Sequence, residues 1–222
     1  MPLDIKLDRI EARVFGVLIE KALTTPDQYP LTLNAATNGC NQKSNRDPVL
    51  ALDEMDVDAA LRRLEQKYLA RRVFPGNSRV EKFVHNGKDA LGLDAPALAV
   101  VAELLMRGPQ TPGDLRARAG RMTSIESIEQ LATVLAGLID RGYVQRLPPA
   151  PGSRAERYAQ LLSPELHPLE AAAPAPYAEP PIRESVAAEL TARVTALEDE
   201  LQALRDRLFA LEQRLAAGPS GR

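Results

Sequence analysis

The run Asn41-Gln42-Lys43-Ser44-Asn45-Arg46-Asp47-Pro48 gathers three primary amides and two cations with no apolar residue among them. Amides offer the paired donor and acceptor that read adenine, and Lys43 and Arg46 can hold phosphates. That chemistry is recognition, not catalysis. A second cationic set, Arg71, Arg72, Arg79 and Lys82, falls on two strand-like runs farther along. Together with Lys43, Asn45 and Arg46 it would make a basic rim for nucleic acid. The competing reading is that the amides cap helices and close turns on their own backbone.

Residues for covalent or metal chemistry are sparse. Cys40 is the lone cysteine, and the only histidines are His85 and His167. No internal disulfide can form, and three such scattered residues do not assemble a zinc-like cluster. No serine–histidine–aspartate set and no glycine-rich phosphate loop is present, so a non-enzymatic protein without catalytic residues, metal or cofactor is expected. Cys40 reads as a small core residue at a helix end. His85, at a strand end, and His167, in a linker, read as solvated.

The elements that position the rim start from Leu52–Val84. Asp53 with Asp56 marks a helix start, with Leu52 and Val57 spaced as a hydrophobic staple. Val57, Leu61 and Leu64 form its apolar stripe. Tyr68–Phe74 and Arg79–Val84 then read as strands joined by Pro75-Gly76-Asn77-Ser78. A helix followed by a hairpin is how a winged helix domain ends.

The chain then repeats itself. Leu135-x-x-Leu138 followed by Gly142–Leu147 tracks Leu61-x-x-Leu64 followed by Tyr68–Val73, and Arg154–Tyr158 tracks Arg79–Phe83. Upstream, Leu7-Asp8 matches Leu93-Asp94, and Thr25-Pro26 matches Thr111-Pro112 without a gap. Two copies of one unit are implied. In the first, Asp8 and Glu11 form a capping box, and a second short helix covers about 31–40. In the second, Leu98, Val101, Leu104 and Leu105 bury a helix ending near Gly108. A short helix from Leu115 to Met122 carries Arg116, Arg118 and Arg121. A third, Ile125 to Arg141, turns Ile128, Leu131, Leu135, Leu138 and Ile139 inward.

Beyond Ser163 the composition falls to Pro, Ala and Glu, as in an extended linker. From Ala187 leucine fills every heptad position d, at Leu190, Leu197, Leu204 and Leu211, while Val194, Leu201, Leu208 and Leu215 sit at position a. Arg193 with Glu198, Glu200 with Arg205, and Arg207 with Glu212 all attract across a parallel pair, which predicts a homodimeric coiled coil. The alternative is a single amphipathic helix folded onto the body.

The expected architecture is mainly α with small β-hairpins (α+β): residues 1–90 and 91–162 as tandem winged helix domains, 163–182 as a Pro/Ala-rich linker, and 183–217 as a coiled-coil helix. Net charge is −2, and the acid excess lies beyond residue 163. A positive patch must therefore come from placement, not surplus. No leader and no apolar run of membrane-spanning length is evident, so no membrane partner and a cytoplasmic location are expected.

The runs Thr24-Thr25-Pro26-Asp27-Gln28-Tyr29-Pro30-Leu31-Thr32-Leu33-Asn34 and Cys40–Val49 resemble the signature of the bacterial YceH-like family. Arg107–Arg116 fits the second copy of the same pattern. The resemblance implies tandem winged helix domains and carries over no catalytic or binding residue; the Ala/Pro-rich linker departs from it. Two functions stay open: DNA association through the wing and the 41–48 loop, or a protein–protein adaptor. Against orthodox groove insertion, Asp53, Glu54, Asp56 and Asp58 crowd the helix end that would read bases.

Overall fold

The computed structural model describes residues 5–76, 80–150, 152–168 and Arg193. It is α-rich with two small antiparallel hairpins. Helix α1 (Arg9–Thr24) starts at Asp8, whose side chain accepts from the Ile10 and Glu11 amides while Glu11 reaches back to the Asp8 amide. Helix α5 (Ala95–Arg107) is capped by Asp94 and stopped by Gly108, which takes a left-handed φ of 74°. Every residue of Glu11–Glu20 and of Ala97–Met106 is buried. Helices enclosed on all sides sit at the centre of a fold, and α1 and α5 pack chiefly on each other. Gly16 permits the approach: a Cβ there would stand 3.2 Å from Met106 Cγ.

Around this pair the element order runs twice. In the first half α2 (Leu33–Cys40), α3 (Glu54–Gln66), β1 (Ala70–Val73) and β2 (Lys82–His85) follow α1, and a short α4 (Gly87–Leu91) leads to α5. In the second half α6 (Pro112–Ala119), α7 (Ile128–Asp140), β3 (Val144–Leu147) and β4 (Arg157–Gln160) follow α5. Each hairpin gains a single antiparallel bridge from the residue before the cap of the short helix, Leu31 to Phe83 and Gln110 to Tyr158. Each third helix ends alike, with Leu69 N–H bonding Leu64 O and Tyr143 N–H bonding Leu138 O. That ending needs a left-handed residue. Gly142 supplies it freely at φ 74°, and Tyr68 adopts it at φ 58° despite its Cβ.

Three expectations are corrected. Thr25-Pro26 does not correspond to Thr111-Pro112. Thr32 caps α2 and Thr111 caps α6, so the 3₁₀ turn Pro26–Gln28 and the residues around it are extra in the first half. Ile128 and Ile139 do not face inward; they are 44% and 38% exposed, because α7 buries the arc of Leu131, Leu135 and Leu138. The segment after β4 is not extended at its start. Leu162, Ser163 and Leu166 are buried, and Leu7 N–H bonds Leu162 O at 2.7 Å.

One apolar cluster runs from Leu7 to Leu166 through both halves, and residues 1–174 form one compact unit. The second unit, 175–222, is described only at Arg193, which is helical and exposed. The heptad residues Leu190, Val194, Leu197, Leu201, Leu204, Leu208, Leu211 and Leu215 lie outside the described residues. No described helix is long and apolar enough to cross a membrane.

Candidate nucleic-acid interface

The 41–48 loop is built from inside. Asn41 clamps its far end, donating to Leu52 O at 2.7 Å and accepting from Leu52 N–H at 2.8 Å. Arg46 points into the core, where its guanidinium is fully buried. It meets Glu20 at 2.6 Å and donates to Gly39 O (3.0 Å), Asn45 O (2.8 Å) and Gln42 Oε1 (2.9 Å). Beside it Arg13, also buried, donates to Pro48 O at 2.7 Å. Burial, and then the charge of Arg46, lower the Arg13 pKa to about 10. Asp47 N–H bonds Met106 O at 2.8 Å, which joins the loop to α5.

This geometry sorts the expected rim. Arg46 is an internal strut and is lost to any phosphate. Lys43 and Asn45 project outward. Arg71 is exposed on β1, whereas Arg72 is held between Glu65 (3.4 Å) and Glu81 (3.0 Å) and lies over the Phe83 ring. Lys82 is half-buried, and Arg79 lies outside the described residues. The wing stripe is therefore interrupted at Arg72. Glu54 and Asp56 remain exposed at the start of α3.

A different set of cations converges on the loop. Asn45, left-handed at φ 61°, accepts a hydrogen bond from Arg107 at the end of α5. Asparagine tolerates that backbone better than other side chains. Asn45, Arg107, Arg118 and Arg121 line a pocket of about 110 Å³ with Glu20 and Glu103. Arg107 pairs with Glu103 at 3.0 Å, and Arg118 donates to Gln110 Oε1 at 2.6 Å. Arg121 is exposed and makes no side-chain hydrogen bond or ion pair among the described residues. The arginines on the short helix are legible in the sequence, but their meeting with Asn45 is not. Nothing local joins positions more than 60 residues apart.

Cys40 is buried, and His85 and His167 are half-buried. Cys40 is fully enclosed at the end of α2, and burial pushes its thiol up to about 12. His85 is half-buried rather than solvated, its Nδ1 accepting from Gly87 N–H, and burial lowers its pKa. His167 is likewise not free in a linker: it donates from Nε2 to Asp47 O at 2.6 Å and packs over Gly108. Among the described residues no group of three or more His, Cys, Asp or Glu is placed to hold a metal ion.

Residues 7–153 match a family model described as a protein of unknown function, DUF480. A UPF0502 protein of Aeromonas hydrophila is 45% identical over 221 residues, covering 96% of this chain and 98% of the relative. One from Geotalea uraniireducens is 48% identical over 201 residues, covering 90% of each. A third, from Koribacter versatilis, is 50% identical over 155 residues, 69% of this chain and 72% of its own. The family-model span holds the first half with its hairpin, the 41–48 loop and the second half as far as β3, and the chain belongs to the DUF480, or UPF0502, family of bacterial proteins.

Proposed function

We propose that this is a non-enzymatic tandem winged helix protein that associates with DNA through its phosphates. The observation that carries the reading is the meeting of the loop that holds Lys43 and Asn45, from one half, with the half-buried Arg107 and Arg118 and the exposed Arg121, from the other. The buried Arg46–Glu20 pair fixes the loop, so little ordering cost falls on binding. Contact avoids the acidic start of α3, which a phosphate backbone would repel. The test is a salt series with random duplex DNA. About four phosphate contacts should give a roughly hundredfold loss of affinity between about 50 and 200 mM salt. Lys43→Glu with Arg121→Glu should abolish binding, while Arg71→Glu should weaken it only slightly. Unchanged affinity in the double variant overturns the reading.

A protein–protein adaptor is the second reading, favoured by one observation. A groove of about 300 Å³ runs between the start of α5 and α7, with Leu93, Ala97, Val134 and Leu138 in its lining. Ile128 and Ile139 stand exposed on the same helix α7. An apolar helix of a partner protein would suit it. Absence of duplex binding at low salt would favour this reading.

The heptads of 183–217 support a homodimer in either case. Burying each seam side chain contributes ~1.5–3 kcal/mol, against ordering costs of ~1–2 kcal/mol per residue. A pair of four heptads is therefore weak. Sedimentation should show a monomer–dimer equilibrium on the order of 10 µM, and removal of 183–217 should leave a monomer. A full-length chain that stays monomeric well above that concentration overturns the dimer.

A further inference from the structure

We propose that the pocket between the two halves, bounded by Asn45, Arg107, Arg118 and Arg121, binds a single phosphate group carried as a monoester or as the free ion. The inference deepens the DNA reading and rests on the same face. The pocket's volume, about 110 Å³, holds one tetrahedral oxyanion and is too small for a nucleoside.

Its donors are already aimed. Asn45 Oδ1 is occupied by Arg107, which leaves the amide Nδ2 as a free donor. The Arg121 side chain makes no hydrogen bond or ion pair among the described residues, so its guanidinium fork is available for two oxygens.

Two carboxylates also line the site, and the charge count decides whether they forbid an anion. Glu20 is held by Arg46 at 2.6 Å and by Lys21 at 3.4 Å, and Glu103 is held by Arg107 at 3.0 Å. At the rim Asp114 stands 3.7 Å from Arg118. The guanidiniums of Arg46, Arg107, Arg118 and Arg121 outnumber Glu20 and Glu103 by two, and Lys21 offsets Asp114. A dianion matches that surplus. A backbone diester carries one charge, and both of its ester oxygens must leave the pocket, so a terminal phosphate fits better than an internal one. The two halves of the chain supply different sides of the site: the loop gives Asn45, and α5, α6 and the turn after α6 give the arginines.

The experiment uses the full-length chain with three probes: inorganic phosphate, a 5′-phosphorylated single-stranded oligonucleotide, and the same strand with a 5′-hydroxyl. Titration calorimetry should give saturable phosphate binding below ~10 mM. Arg121→Gln should weaken it about tenfold, the loss expected for one charge-assisted contact, without changing the ligand-free Tm, because Arg121 holds nothing in place. Arg118→Gln should weaken it too. A 5′-phosphate advantage of about tenfold that Arg121→Gln erases identifies strand ends as the source. Phosphate binding without that advantage identifies the free ion, and both support the site. No saturable phosphate binding, or equal binding in Arg121→Gln, overturns it. Duplex affinity in the same variants is read separately. Salt-sensitive duplex binding without phosphate binding sinks the pocket alone. Phosphate binding without duplex binding sinks the DNA reading alone.

Discussion

Replacing Glu20 by alanine is expected to destabilise the folded chain by about 3–5 kcal/mol, the range for leaving one partner of a buried ion pair uncompensated. The Arg46 guanidinium has no exposure, and among the described residues Glu20 is its only anionic partner. Its other acceptors are the carbonyls of Gly39 and Asn45 and the amide of Gln42. They satisfy N–H groups but do not neutralise charge. Arg13 makes the loss worse. It is a second buried guanidinium whose pKa Arg46 already helps to lower. Urea unfolding should show the midpoint falling with little change in slope. Glu20→Leu combined with Arg46→Met should recover most of the loss, since an apolar pair of similar volume is often neutral in place of a buried ion pair. The exposed pair of Arg62 and Asp58 sets the contrast: Arg62→Ala should cost no more than ~0.5 kcal/mol. If Glu20→Ala matches that small value, Arg46 is not the strut that holds the loop. Because Arg46 anchors the backbone on both sides of Asn45, the same substitution should also remove phosphate binding. Arg121→Gln should weaken that binding without touching stability.

What the sequence disclosed and what it hid follow from range. The capping boxes at Asp8–Glu11 and Asp53–Asp56 are complete within four residues, so residue type and spacing suffice to read them, and both form. The hairpins are legible for the same reason. The loop's amides were legible as a recognition surface or as turn-closing groups, and the structure divides them. Asn41 closes the turn, Gln42 serves Arg46, and Asn45 faces the arginines. Arg46 could not be assigned, because its carboxylate partner lies 26 residues upstream on α1. A surface cation and a buried strut look identical until the fold brings that partner near. Ile128 and Ile139 show a second limit. Helical periodicity reveals that α7 has an apolar side, but not how wide an arc a neighbour covers. Its apolar face is broader than the surface α5 and α6 present to it, so two isoleucines remain outside. In the front halves a local match, Thr25-Pro26 to Thr111-Pro112, conceals the tertiary one, Thr32 to Thr111. The bridges at Leu31 and Gln110 show which residues occupy equivalent places.

Truncating Phe15 to alanine should cost about 3–5 kcal/mol, and the loss should be shared by both halves. Phe15 is fully buried. Its Cζ lies 3.2 Å from where a Gly87 Cβ would sit, and Leu98 Cδ2 lies 2.8 Å from the same point. The ring therefore fills the place where α1, α4 and α5 meet, and none of those helices can close over the void without moving the others. Gly87 is buried and α5 is buried along ten consecutive residues, so collapse is limited and the cost belongs near the upper end. Hydrogen exchange reads the two halves separately. Amides around Leu61 and Leu64 report the first, and those around Leu135 and Leu138 report the second. With one continuous core both sets open only by global unfolding, and both should lose the same protection in Phe15→Ala. Loss confined to the first set would mean that α5 and its followers hold together without α1. The seam that brings Asn45 to Arg107 would then be a contact between two independent bodies, and the phosphate pocket would open and close with their docking.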